Sequence, residues 1–148
     1  MGIDVKRAVS GDLDAVADLF DLYRQFYKQS SDLPGAKAFL AERMERDQSV
    51  IFLAEYAGAA LGFTQVYPSF TSAGMAPIFI LNDLFVVPEA RGSGVGRALL
   101  CHTAEFARGE GATRLVLSTA TDNLTAQAVY ERAGWERDDG FLTYRLTL

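Results

Sequence analysis

Arg91-Gly92-Ser93-Gly94-Val95-Gly96-Arg97 carries the clearest chemistry in the chain. It follows an apolar run, Leu84-Phe85-Val86-Val87-Pro88, and opens a segment of helical periodicity. Glycines let backbone N–H groups approach an anion without Cβ interference and with positive φ available. A helix N-terminus adds unsatisfied N–H donors and the positive end of its dipole. With Arg91 and Arg97 close by, the arrangement is a phosphate or pyrophosphate cradle. A nucleotide-hydrolase phosphate loop requires G-x-x-x-x-G-K-S/T, and no Lys-Ser or Lys-Thr follows here. The dinucleotide fingerprint G-x-G-x-x-G also fails, because its last position falls on Arg97 or Leu99. The competing reading is a turn that merely joins strand to helix.

Other chemistries are narrowed by what the sequence lacks. Cys101 is the sole cysteine and His102 the sole histidine, so no intrachain disulfide or Cys-rich metal site is available, and a zinc site is not expected. Both are read as structural residues of the helix behind the glycine loop. Chemistry must then run on carboxylates, tyrosines and backbone groups.

The elements that position these residues follow from periodicity. Ile3–Val9 alternates as a strand, with Ser10-Gly11-Asp12 as turn and cap. Leu13, Val16, Ala17, Phe20, Tyr23 and Tyr27 recur at helical spacing, and a second helix is expected over about Ala36–Asp47. Val50–Tyr56 and Ala60–Tyr67 read as a hairpin around Ala57-Gly58-Ala59, and Pro68–Gly74 as a loop or wide hairpin tip. Pro77–Val87 is the longest strand, apolar on both faces except at Asn82 and Asp83. A helix over Val95–Arg108, a short strand Arg114–Ser118, a helix Leu124–Arg132 ended by Gly134, and closing strands near Trp135–Arg137 and Phe141–Leu148 complete the order β-α-α-β-β-β-α-β-α-β-β. This predicts an α/β fold with a mixed, mostly antiparallel sheet of about seven strands and helices on both faces.

The 148 residues, 49% hydrophobic and 22% charged, are expected to form a single domain over 1–148. A net charge of −5 argues against nucleic acid as a partner. No apolar run is long enough to span a membrane, and the N-terminal residues lack a secretory apolar stretch, so a cytoplasmic setting is expected.

Arg91-x-x-Gly94-x-Gly96, after a strand ending Val86-Val87-Pro88, resembles the Q/R-x-x-G-x-G/A cofactor motif of the GNAT acetyltransferases. Asn123, Ala126, Tyr130, Ala133, Gly134 and Trp135 resemble that family's N-x-x-A-x-x-x-Y-x-x-x-G-F motif, with Trp in place of Phe. The resemblance covers about Ile80–Trp135 and implies acetyl-CoA as cofactor. It implies that Leu84, Phe85 and Val86 offer backbone groups to the pantetheine arm and that Gly92, Ser93, Gly94, Val95, Gly96 and Arg97 hold the pyrophosphate. Asn123 would contact the pantetheine or cofactor end. Tyr130 would sit near the cofactor sulfur and protonate the departing thiolate; its competing reading is a buried core tyrosine.

An alkylammonium must lose a proton before it attacks a thioester. Asp83 is the candidate base, since a lone carboxylate in an apolar strand is costly unless used or paired; the alternative is a structural hydrogen bond at a bulge. Polyamine acetyltransferases of the family carry a Glu-Asp pair where Asn82-Asp83 stands here, and Glu55 is the reserve candidate. The segment from Gln65 to Ser72 resembles the acceptor-side hairpin of small-amine acetyltransferases, so Tyr67 and Phe70, with Tyr23, Tyr27 and Asn82, are candidate acceptor contacts. The expected activity is acetyl transfer to a primary amine of a small molecule by direct attack in a ternary complex. Acetylation of a protein N-terminus or lysine, and non-catalytic acyl-CoA binding, are the alternatives. The resemblance also implies a homodimer built through sheet edges or closing strands.

Overall fold

The apolar runs between residues 4 and 116 assemble into one sheet, seen in a computed structural model that describes residues 2–148. The chain divides into two compact units, one up to Ser118 and one over Thr119–Leu148. In the first unit the elements are β1 (Asp4–Arg7), α1 (Leu13–Phe26), α2 (Leu33–Glu45), β2 (Val50–Tyr56), β3 (Ala59–Thr71), β4 (Ala76–Val86), α3 (Val95–Gly109) and β5 (Leu115–Val116). The strands form a five-stranded sheet in the order β1-β2-β3-β4-β5. Neighbours are antiparallel except β4 and β5, which run parallel across the α3 crossover.

Adjacent residues of a strand point to opposite faces, and β3 shows which helix covers which. The rings of Phe20 and Tyr23 on α1 meet Phe63. The next residue, Thr64, meets Thr103 of α3 at 3.0 Å between hydroxyls. So α1 and α3 lie on opposite faces, as expected from the mixed pattern. Phe63, Leu53, Leu40 and Val16 are fully buried toward α1 and α2, and burial of such a side chain contributes about 1.5–3 kcal/mol. On the other face Thr103 donates to the Leu99 carbonyl at 2.7 Å, which leaves Thr64 as donor to Thr103 and ties α3 to the sheet. Gly62 lies on this face too: a Cβ there would sit 2.6 Å from the Phe85 carbonyl oxygen and 3.3 Å from Leu99.

The α1–α2 connection is held by a buried carboxylate. Asp21 accepts from the Ser31 hydroxyl at 2.7 Å and from the Asp32 N–H at 2.8 Å, which holds its carboxyl below the ordinary aspartate range. Asp32 in turn caps α2 by accepting from the Gly35 N–H at 3.0 Å.

Two expectations are corrected. Only the end of the span Pro68–Gly74, read as a loop or wide hairpin tip, lies in the turn at 72–75: β3 continues through Pro68 to Thr71, paired with β4 as far as Ala76. Pairing with β2 stops at Val66, so Pro68 lies where one side of β3 is open and its missing N–H breaks no ladder. The strand count is five rather than about seven. Trp135–Arg137 and Phe141–Leu148 carry no strand, because alternation describes a surface and a strand also requires a hydrogen-bonded neighbour. Phe141, Leu142, Tyr144 and Leu146 are 84%, 81%, 89% and 83% exposed.

The second unit is built around α4 (Leu124–Arg132). Asn123 caps it, its Oδ1 accepting from the Ala126 N–H at 3.1 Å. Gly134 ends it at φ +94°, with the Trp135 N–H returning to the Tyr130 carbonyl at 3.0 Å.

Candidate active site

Asp83 owes its surroundings to a bulge in β4. Gln65 pairs with Asp83 but the next residue, Val66, pairs with Leu81, so Asn82 is an extra residue in the ladder. On one side of the bulge, Phe79 faces α3, where it meets Phe106. On the other side Phe85 faces α1, where it meets Tyr23. Strict alternation would put residues 79 and 85 on one face; the inserted residue reverses the parity. It therefore turns Asp83 toward α1, beside Gln65.

There Asp83 is 3% exposed. Its Oδ2 accepts from Gln65 Nε2 at 2.6 Å and its Oδ1 from Asn82 Nδ2 at 3.0 Å. The Tyr23 hydroxyl is a further hydrogen-bonding neighbour of Asp83 and lies 3.2 Å from the Asn82 carbonyl, its one proton going to one of these acceptors at a time. Desolvation raises the Asp83 carboxyl above the ordinary aspartate range, and the bonds from Gln65, Tyr23 and Asn82 only partly oppose it. Tyr67 lies on the same face of β3; burial, then the negative charge of Asp83, push its phenol up to about 12, with Arg43 acting the other way.

The structure thus brings together Asp83, Asn82, Tyr23 and Tyr67. Tyr27 extends the cluster, its ring 4.9 Å from Tyr23. Phe70 is not part of it: it pairs with Pro77 near the hairpin tip, is 77% exposed, and lies five residues from Gln65, about 16 Å along the strand. Glu55 is ion-paired to Lys6 at 3.0 Å on the β1 side of the sheet. Gln65 entered the sequence reading only as the first residue of the Gln65–Ser72 segment and Ser49 not at all; the register of β3 against β4 joins Gln65 to Asp83, and that of β2 against β3 brings Ser49 to Gln65.

The glycine loop joins β4 to α3. Gly92 and Gly94 have φ of +76° and +91°, and a Cβ on either would project into open space. The first helical bond runs from the Ala98 N–H to the Gly94 carbonyl, so the N–H groups of Val95, Gly96 and Arg97 precede the intrahelical ladder. Ser93 donates its hydroxyl to the Ala90 carbonyl. This cluster of N–H donors, open on its outer side, fits a pyrophosphate. Arg91 is organised differently from a free cation. Its Nε donates to the Val86 carbonyl at 2.9 Å and its guanidinium lies 5.6 Å from the Phe85 ring and 5.9 Å from Phe26. Leu84, Phe85 and Val86 form the end of β4 leading into this loop.

In the second unit, capping occupies the Asn123 oxygen and leaves its amide NH2 to other partners. Tyr130, on the last turns of α4, has its ring 6.1 Å from Trp135. Among the described residues no group of His, Cys, Asp and Glu is placed to hold a metal.

In the first unit a strand with a polar bulge leads into an open N–H cradle at the start of α3. Residues 16–135 match the model of the Acetyltransferase (GNAT) family, and the chain belongs to that family as an acetyl-CoA-dependent N-acetyltransferase. It is 47% identical over 146 residues to the uncharacterized N-acetyltransferase YhfO of Bacillus subtilis (strain 168), covering 99% of this chain and 98% of that one. The crystal structure of a probable acetyltransferase superposes with a TM-score of 0.93 at 40% identity, covering 98% of this chain and 97% of the other. The aminoglycoside N-acetyltransferase AAC(6')-Iy, in complex with CoA, shares the fold with a TM-score of 0.83 at 20% identity, over 99% of this chain and 96% of the other.

Proposed function

We propose that the enzyme acetylates a primary amine of a small molecule and that Asp83 removes the proton from the acceptor ammonium, directly or through one water. The observation that carries this reading is the bulge of β4, which sets a desolvated carboxylate beside Tyr23, Asn82 and Tyr67. Burial makes Asp83 a better base than an exposed aspartate, in the direction a general base requires. The aromatic faces of Tyr23, Tyr27 and Tyr67 suit an ammonium group before it is deprotonated.

Acetyl-CoA supplies the activated acetyl group. The N–H groups of Val95, Gly96 and Arg97, with the backbone of Gly92, Ser93 and Gly94, hold its pyrophosphate. The backbone of Leu84, Phe85 and Val86 aligns its pantetheine arm, and Arg91 stiffens that strand end through the Val86 carbonyl. The Asn123 amide NH2 binds the same cofactor. Tyr130 donates its phenolic proton to the sulfur as the thioester breaks. Aminoglycoside acetylation by a protein of the same fold supports a small, amine-bearing acceptor.

The chain acts as a homodimer, with the exposed apolar residues Phe141, Leu142, Tyr144 and Leu146 meeting a second copy.

The test is free-thiol release from acetyl-CoA across polyamines, amino acids, aminoglycosides and short peptides, with Tyr130→Phe run alongside. Turnover is expected with a small amine, and Tyr130→Phe is expected to lower it about 100-fold with acetyl-CoA affinity unchanged. Turnover confined to peptides would replace the small-amine reading with protein acetylation. Tight acetyl-CoA binding with no turnover on any acceptor would favour a binding regulator.

A further inference from the structure

Gln65 occupies the middle of β3, fully buried on the face that carries Phe63 and Tyr67. An amide in such a place is costly unless both of its ends are bonded. Both are. Oε1 accepts from the Ser49 hydroxyl at 2.7 Å, and Nε2 donates to Asp83 Oδ2 at 2.6 Å. Ser49, also buried, directly precedes β2. A buried line of hydroxyl, amide and carboxylate therefore runs from the residue before β2 across β3 to β4 and ends on the proposed base. Three apolar residues would fill the same space without desolvating any polar group, so packing does not account for the line.

We propose that Gln65, aligned by Ser49, is a positioning residue that fixes the orientation of the Asp83 carboxylate and sets its proton affinity for reaction with the acceptor amine. This rests on Asp83 being the base. The step it serves is transfer of one proton from the acceptor ammonium to the Asp83 carboxylate, giving a neutral amine and a carboxylic acid.

A donor on the carboxylate favours the ionised form and works against burial. Without Gln65, Asp83 would hold its proton to higher pH and be unavailable to take another. The line also tolerates the product of the step. A hydroxyl both donates and accepts. If the amide turns over, the protonated Asp83 donates to Gln65 Oε1, and Ser49 accepts from Gln65 Nε2. Both protonation states of Asp83 are then satisfied without admitting water. The other groups facing Asp83 are Tyr23 from α1, Asn82 from its own strand and Tyr67 from β3, and Arg43 from α2 acts on Tyr67. Tyr67 stays protonated at neutral pH, so it does not compete with Asp83 for the acceptor's proton.

The test is carboxyl-carbon NMR titration of the full chain carrying isotope-labelled aspartate, with the Asp83 signal assigned by its loss in Asp83→Asn. The expected result is an Asp83 midpoint that moves up in Gln65→Met and moves up by less in Ser49→Ala. The acid limb of thiol release should shift with it while the KM for acetyl-CoA holds. An unmoved midpoint in Gln65→Met that retains native circular dichroism and acetyl-CoA binding would overturn the proposal. Should Gln65→Met not fold, Ser49→Ala decides, since it removes one hydroxyl and no packing bulk. Native turnover with an intact acid limb in Asp83→Asn would instead overturn the assignment of the base, whatever the midpoints do.

Discussion

Asp83 and Asp21 are both buried aspartates of this chain, and their surroundings push them in opposite directions. Asp21 receives the Ser31 hydroxyl and the Asp32 N–H, which outweigh its burial, and its carboxyl is held low. At Asp83 burial outweighs the bonds from Gln65, Tyr23 and Asn82, and its carboxyl is held high. The two make opposite contributions to stability. Asp21 stabilises the fold above the pKa of an unfolded aspartate, and that contribution is lost as pH falls through its lower folded value. For Asp83 the favourable contribution is complete below the unfolded pKa and is lost as pH rises through its higher folded value. Ionised Asp83 is therefore a cost the fold carries above the group's folded midpoint. Asp83→Asn is expected to gain stability over the native enzyme as pH rises through the Asp83 midpoint, measured by urea unfolding at a series of pH values. A difference that does not change with pH would contradict the burial argument. The types of these residues were visible in the sequence; their partners were not. Asp83 was marked by being a carboxylate in an apolar strand, whereas Gln65 lies eighteen residues earlier on another strand, and only the β3–β4 register brings the two together.

Among the elements, the helices were legible because periodicity is local. Val95–Gly109 and Leu124–Arg132 lie within a residue of where the pattern puts them. The motif residues of α4 also have ordinary structural reasons for their types: Asn123 caps the helix and Gly134 ends it at positive φ. A bulge beside Asp83 was expected, but the reversal of parity it causes along β4 was not legible, because inserting one residue leaves the composition unchanged. The passage of β3 through Pro68 was missed because a proline usually ends a strand, and its tolerance here depends on where β2 stops. Gly62 joins β3, the Phe85 carbonyl and Leu99 of α3 at one close approach. Gly62→Ala is expected to cost about 1–3 kcal/mol in urea unfolding. It should also weaken acetyl-CoA binding, since the carbonyl it displaces lies in the strand end assigned to the pantetheine arm. Native stability and affinity in this variant would show that β3 and β4 can part there without consequence.

At the scale of the molecule, the mixed sheet with helices on both of its faces followed from the sequence, while the closing strands did not. Phe141–Leu148 has the alternation of a strand, but alternation cannot supply the neighbour with which a strand pairs. If these exposed side chains meet a second copy, sedimentation at micromolar concentration should show a dimer, and replacing Leu142 and Tyr144 with serine should give monomers. A native monomer would remove that reading. The central claim, that the bulge turns Asp83 into the base for an acceptor amine, is tested most directly by the pH dependence of thiol release from acetyl-CoA in native enzyme and Asp83→Asn, using the amine with the fastest turnover. The account predicts turnover about 100-fold lower in Asp83→Asn, loss of the acid limb seen in the native enzyme, and unchanged acetyl-CoA affinity. Native turnover with the limb intact would contradict it.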